Sequence, residues 1–129
     1  MFYVLITIRI CKALEYLTDG ANAEFFVQPI QDADNLVTPT ICLYEVFKQV
    51  LSEFGEEQAL DAVGSMSVGE IVDLTRQIAI DAALLSAELK LAMADSIILA
   101  TTRAHAAILW TQDTHFEDIE GVQFIKMKP

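Results

Sequence analysis

Short apolar runs alternate along the chain with longer stretches whose apolar positions recur every three or four residues, the pattern of a βα chain. Residues 2–8 are apolar apart from one threonine and predict a buried strand. A short helix over 11–17 stops at Asp19-Gly20, a turn signal, and Asn22 caps a second helix that runs to about residue 30 with Phe25 and Phe26 inward. Residues 35–38 predict a short strand before Pro39. From Thr40 onward, Leu43, Phe47, Val50, Leu51 and Phe54 recur at helical spacing, and Gly55 ends that helix. A further helix covers 56–66, a strand 68–74, and Thr75 caps a helix to about residue 89. Residues 94–106 form a helix that is apolar almost all round, as expected of one packed deep against a sheet. A strand over 108–111, a short helix opened by Asp113, and a closing strand over 122–125 complete the series.

Short apolar strands separated by helices predict an α/β fold, a three-layer α/β/α sandwich with a mostly parallel central sheet. With 129 residues and no internal repeat, low-complexity tract or linker, residues 1–129 read as a single domain. A hydrophobic share of 53% is enough to bury a sizeable core. Cys11 and Cys42 fit no metal or disulfide spacing and read as buried, reduced thiols. The apolar start is shorter than the roughly 20 residues that span a bilayer. It also lacks the basic opening and small-residue cleavage site of a signal peptide. A cytoplasmic protein without a membrane partner is expected.

The formal net charge is −11, which opposes a passive nucleic-acid binder, because such binding is driven by basic residues that displace counterions. It does not oppose a nuclease: clustered carboxylates repel phosphate until divalent cations neutralise them. Lys48, Lys90 and Arg103 are too scattered to form a basic stripe.

Three acidic residues stand out by position. Glu45 lies inside the helix that begins at Thr40, Asp95 lies in the first turn of the helix beginning MADSIILA, and Asp113 follows the strand ILWT. In open α/β sheets, ligands gather beyond the carboxyl ends of strands, near helix N-termini. Mg²⁺ and Mn²⁺ prefer carboxylate oxygen. Each residue also has a plainer reading: Asp95 and Asp113 suit helix caps or first turns, and Glu45 the polar edge of an amphipathic helix. His105 and His115 lack metal-ligand spacing and read as structural or surface residues. Trp110, in a strand, reads as core.

The segments LEYLTDG, TPTICLYEVFKQVL, LKLAMADSIILATTRAH and LWTQDTHF together resemble a VapC-type PIN domain from Leu14 to Phe124. The last two are the most specific: an Ala-Asp pair leading an apolar helix, here Ala94-Asp95, then a strand and Thr-x-Asp-x-x-Phe, here Thr111 to Phe116. The resemblance implies a PIN-like fold and a metal-dependent ribonuclease acting as the toxin of a toxin–antitoxin pair. Glu45, Asp95 and Asp113 would hold Mg²⁺ or Mn²⁺, and Thr111 would orient a carboxylate or a bound water. It further implies an RNA substrate, a homodimer and a small VapB-like antitoxin partner.

The pattern breaks at its start. The family's first acidic residue lies five positions before a leucine that matches Leu14, which puts Arg9 in its place. The match fails over 6–13 and is good from Leu14 onward. This leaves two functional expectations, an impaired nuclease or a catalytically inactive PIN module that binds an antitoxin or RNA without cutting. A generic α/β binding protein is the third.

Overall fold

The computed structural model describes residues 2–5, 36–67, 69–111 and 114–124. The helices expected over 11–17 and 22–30, together with Arg9, Cys11 and Asp113, lie outside the described residues. Strand β1 (Phe2–Leu5) precedes β2 (Leu36–Pro39), α1 (Thr40–Phe54), α2 (Glu56–Met66), β3 (Glu70–Val72), α3 (Arg76–Leu89), α4 (Met93–Ala104), β4 (Ala107–Thr111), a 3-10 turn (Thr114–Phe116) and β5 (Val122–Phe124). The five strands form one sheet in the order β3-β2-β1-β4-β5, and every described pairing is parallel.

The chain steps outward from β2 to β3, then returns across β2 and β1 to reach β4. Crossovers are right-handed, so two that run in opposite directions lay their helices on opposite faces of the sheet. The α/β/α layering expected from the alternation of elements follows.

Local chemistry sets the helix ends. The Thr75 side chain accepts from the Ile78 backbone N–H at 3.2 Å, so it caps α3 as expected. Gly55 adopts φ +93° and joins α1 to α2, a left-handed conformation with no Cβ penalty. Helix α4 ends two residues earlier than expected, because no glycine or proline marks its end. Instead His105 closes the last turn, its backbone N–H donating to Thr101 O at 3.2 Å, and Ala106 turns left-handed at φ +49°.

All residues of α4 from Asp95 to Thr102 are buried, which bears out its reading as a deep helix. Its polar side chains are accommodated locally. The hydroxyls of Ser96, Thr101 and Thr102 each donate to a backbone carbonyl of the same helix at 2.8 Å. The main core joins Val37 of β2, Cys42 of α1, Ile98 and Leu99 of α4, Leu109 of β4 and Phe116 of the 3-10 turn.

In α1 the stripe that faces inward is Cys42, Val46 and Val50. Leu43, Phe47 and Leu51, one position on, line an open apolar groove with Tyr44, Lys48 and Val63, and Phe54 is exposed. Two neighbouring stripes of this helix are apolar. Val46 and Val50, from the stripe with the smaller side chains, take the contact with Ala59 and Ala62 of α2, and Phe47 packs beside them. Periodicity cannot choose between adjacent stripes; side-chain volume at the packing surface does.

Gly69 leads into β3 against the first residue of β2. A methyl there would sit 2.6 Å from Leu36 Cβ and 2.9 Å from the Leu36 carbonyl carbon. Because backbone atoms cannot rotate away, Gly69→Ala is expected to destabilise the protein by about 1–3 kcal/mol, the usual cost of overpacking. Urea unfolding measures this as a lower midpoint at unchanged slope.

Candidate functional site

The chain reverses direction across the sheet at β1, with β2 on one side and β4 on the other. In open α/β sheets the carboxyl ends of the strands at such a reversal, here β1 and β4, are where ligands bind. Thr111 ends β4, and Leu5, the last residue of β1, pairs with Trp110. Helix α1 starts directly after the carboxyl end of β2, and α4 runs back toward β4, so both helices open at this edge. The start of α1 reaches the body of α4: Ile41 of α1 rests against the cluster that includes Ile97 and Ala100 of α4.

Asp95 is the third residue of α4 and is not its cap; that place is taken by Ala92, which gives no side-chain bond. The carboxylate lies in the positive field of the helix start. Its side chain is only 8% exposed, and a buried carboxylate requires polar partners. One is His115, whose Nδ1 lies 3.4 Å from Asp95 Oδ2.

Glu45 is the sixth residue of α1, on the turn after Ile41, and its Oε1 is out of reach of solvent. Cys42, one turn back, is fully buried, and its thiol is pushed well above its usual range, first by desolvation and second by the Glu45 carboxylate. Cys42 is therefore a protonated core thiol and not a soft metal ligand. It is reduced, as expected.

Thr111 is wholly buried at the carboxyl end of β4. Asp113 lies outside the described residues, between Thr111 and the 3-10 turn. Among the described residues, then, Glu45 lies in the second turn of α1 and Asp95 in the first turn of α4, on helices that both open at this edge. His115, read as a structural or surface residue, is indeed 65% exposed, and its contact with Asp95 is what the sequence did not reveal. The available signal was its place directly before Phe116, whose ring is fully buried and pins the turn. His105 has a structural role: its Nε2 lies 3.6 Å from Glu70 Oε2 and its Nδ1 3.1 Å from Thr101 O, tying the end of α4 to β3. Trp110 is half-buried in β4.

The donors at this edge are carboxylate oxygens, the type that hard divalent cations take. Among the described residues, no group of three or more His, Cys, Asp or Glu side chains is placed to hold a metal ion. Two carboxylates fit such an ion in kind but do not by themselves complete its shell.

The sequence profile of the PIN domain matches residues 13–122. The chain belongs to the PIN domain family. No curated protein sequence matches it significantly. Among solved structures, this PIN domain is similar to a chain of a toxin–antitoxin complex from Klebsiella pneumoniae, with TM-score 0.75 and 23% identity, covering 97% of this chain and 99% of that one. It is also similar to a chain of a DNA-bound VapBC from Salmonella typhimurium, at TM-score 0.72 and 20% identity, covering 98% of each. A third similar chain belongs to VapBC2 from Rickettsia felis bound to a DNA fragment from their promoter, at TM-score 0.72 and 21% identity over 99% of this chain and 100% of that one. At these identities the likeness establishes the fold. The PIN-like α/β fold expected from the sequence is thereby borne out. Among the described residues, no helix of this PIN domain is long and apolar enough to cross a membrane.

Proposed function

We propose that this PIN domain is a VapC-like, metal-dependent ribonuclease, the toxin of a toxin–antitoxin pair. The observation that carries the reading is Asp95: a nearly enclosed carboxylate in the first turn of a buried helix, at the carboxyl edge where the sheet order reverses. Nothing in packing calls for a carboxylate there, since burying one costs free energy unless something polar or cationic receives it. Glu45, Asp95 and Asp113 would hold Mg²⁺ or Mn²⁺, and Thr111 would support them from the end of β4. The cation supplies charge neutralisation for an incoming phosphodiester and activation of water. The protein's own part is to keep acidic oxygens in fixed positions and to exclude bulk water from Asp95.

A small VapB-like antitoxin and a second copy of the chain are the proposed partners, in a cytoplasmic setting. The exposed apolar residues Tyr44, Leu51, Phe54 and Leu60 on α1 and α2, and Ile80 and Leu84 on α3, support a chain that does not act alone. The net charge of −11 suits a basic partner segment.

Arg9 favours the second reading, a PIN module that binds an antitoxin or RNA without cutting, because it stands where the family's first acidic residue is expected. Cleavage of total RNA and of tRNA with Mg²⁺ or Mn²⁺ separates the two. For the nuclease, cleavage requires the cation and is lost in Asp95→Asn. Equal cleavage by Asp95→Asn overturns the assignment of the site, and no cleavage by the unmodified chain together with intact partner binding supports the inactive module.

A further inference from the structure

His115 and Asp95 come from different elements, the 3-10 turn after β4 and the first turn of α4, and meet at 3.4 Å between Nδ1 and Oδ2. Their surroundings differ sharply: the His115 side chain is 65% exposed and that of Asp95 8%. An exposed histidine side chain ordinarily ranges over several rotamers, and holding it in one costs entropy. Here the backbone beneath it is secured. Phe116, the next residue, is fully buried in the main core. The turn is closed by Glu117 N–H donating to Thr114 O at 3.1 Å and Ile119 N–H donating to Phe116 O at 3.2 Å. The imidazole is thus delivered to the one nearly enclosed carboxylate described at this edge by an anchored turn.

We propose that His115 is a positioning residue for Asp95: its Nδ1–H donates to Asp95 Oδ2 and holds the carboxylate in a single orientation before a cation arrives. The inference rests on the proposed metal-binding role of Asp95. Carboxylates that ligate metals are themselves held by hydrogen bonds from a surrounding shell, and losing such a partner typically weakens metal affinity or activity by 10–100-fold. A distance of 3.4 Å is longer than a closed N–H···O bond, and bonds of this kind tighten when a site is loaded. The tautomer is part of the claim: a neutral ring that donates from Nδ1 leaves Nε2 without a proton.

Two measurements test this. In the metal-free protein, long-range ¹H–¹⁵N spectra of the His115 ring are expected to show a proton on Nδ1. A proton on Nε2 with Nδ1 bare overturns the proposal whatever the metal does. Mn²⁺ titration by calorimetry is then run in the Arg9→Asp background on His115→Ala, His115→Asn and Asp95→Asn. His115→Ala is expected to weaken binding by about 10–100-fold at unchanged melting temperature. His115→Asn, whose side-chain amide can stand where Nδ1–H stands, is expected to recover most of it. Unchanged or tighter binding in His115→Ala, while Asp95→Asn abolishes binding, sinks the positioning role alone. If Asp95→Asn leaves Mn²⁺ binding as it was, or if no variant binds Mn²⁺, the metal-site reading of Asp95 fails and takes this inference with it.

Discussion

Replacing Arg9 by aspartate is expected to raise RNA cleavage by more than about 100-fold, the upper end of what loss of a partner outside the metal's own shell costs. A direct ligand should matter more than such a partner. The register rests on Leu14, five residues on, where the match to the family becomes good. A guanidinium remains protonated at any ordinary pH and has no lone pair to give a cation. Near a carboxylate it acts as a resident counter-charge, neutralising the group that a divalent ion would otherwise seek. In the register that Leu14 sets, Arg9→Asp exchanges such a counter-charge for an oxygen donor in one step. Calorimetry with Mn²⁺ and a cleavage assay on tRNA should therefore move together. Full-rate cleavage by the unmodified chain, with no change on substitution, would show that the first strand is read in the wrong register or that the site works without this carboxylate.

Truncating Phe116 to alanine is expected to cost about 3–5 kcal/mol, the range for removing a buried aromatic ring. That is a large fraction of the roughly 5–15 kcal/mol that holds a typical domain together. The ring is fully buried and shares the central cluster with Leu109, Ile98 and Val37. Its loss should also slacken the turn that carries His115. Phe116→Leu refills most of the volume and should recover more than half of the stability. Denaturant midpoints read the first effect. If Phe116→Ala unfolds at the wild-type midpoint, the turn does not depend on this anchor.

The helices α1 to α4 were legible because local signals agreed with periodicity. Thr75 caps, Gly55 reverses the chain, and eight consecutive buried residues in α4 follow from a stretch with no polar face wide enough to meet water. The place of Asp95 in the first turn of an apolar helix was legible as well, while a ligand role for it came only from the resemblance to the family. Val50 was expected inward and is, but the choice of Cys42 and Val46 over Leu43 and Leu51 was not legible, because it depends on what each stripe packs against. His115 was hidden for a similar reason. Its partner is twenty positions away, and only the fold of the sheet edge brings the two together. The end of α4 was misjudged because a left-handed alanine carries no mark in the sequence.

The central strand of the sheet has a kinetic consequence. β1 pairs with β2 on one side and with β4 on the other, and its register with β4 joins Phe2 to Ala107, more than a hundred positions apart. Closing so long a loop costs entropy before any contact returns it, and parallel pairing between distant segments is slow for that reason. Until β4 docks, β1 has an unpaired edge, and the β4-β5 pair is not joined to the β3-β2-β1 part of the sheet. The edge at the carboxyl ends of β1 and β4 is therefore complete only once the last third of the chain docks against its first few residues. Any chemistry housed there is withheld from every incomplete form of the protein.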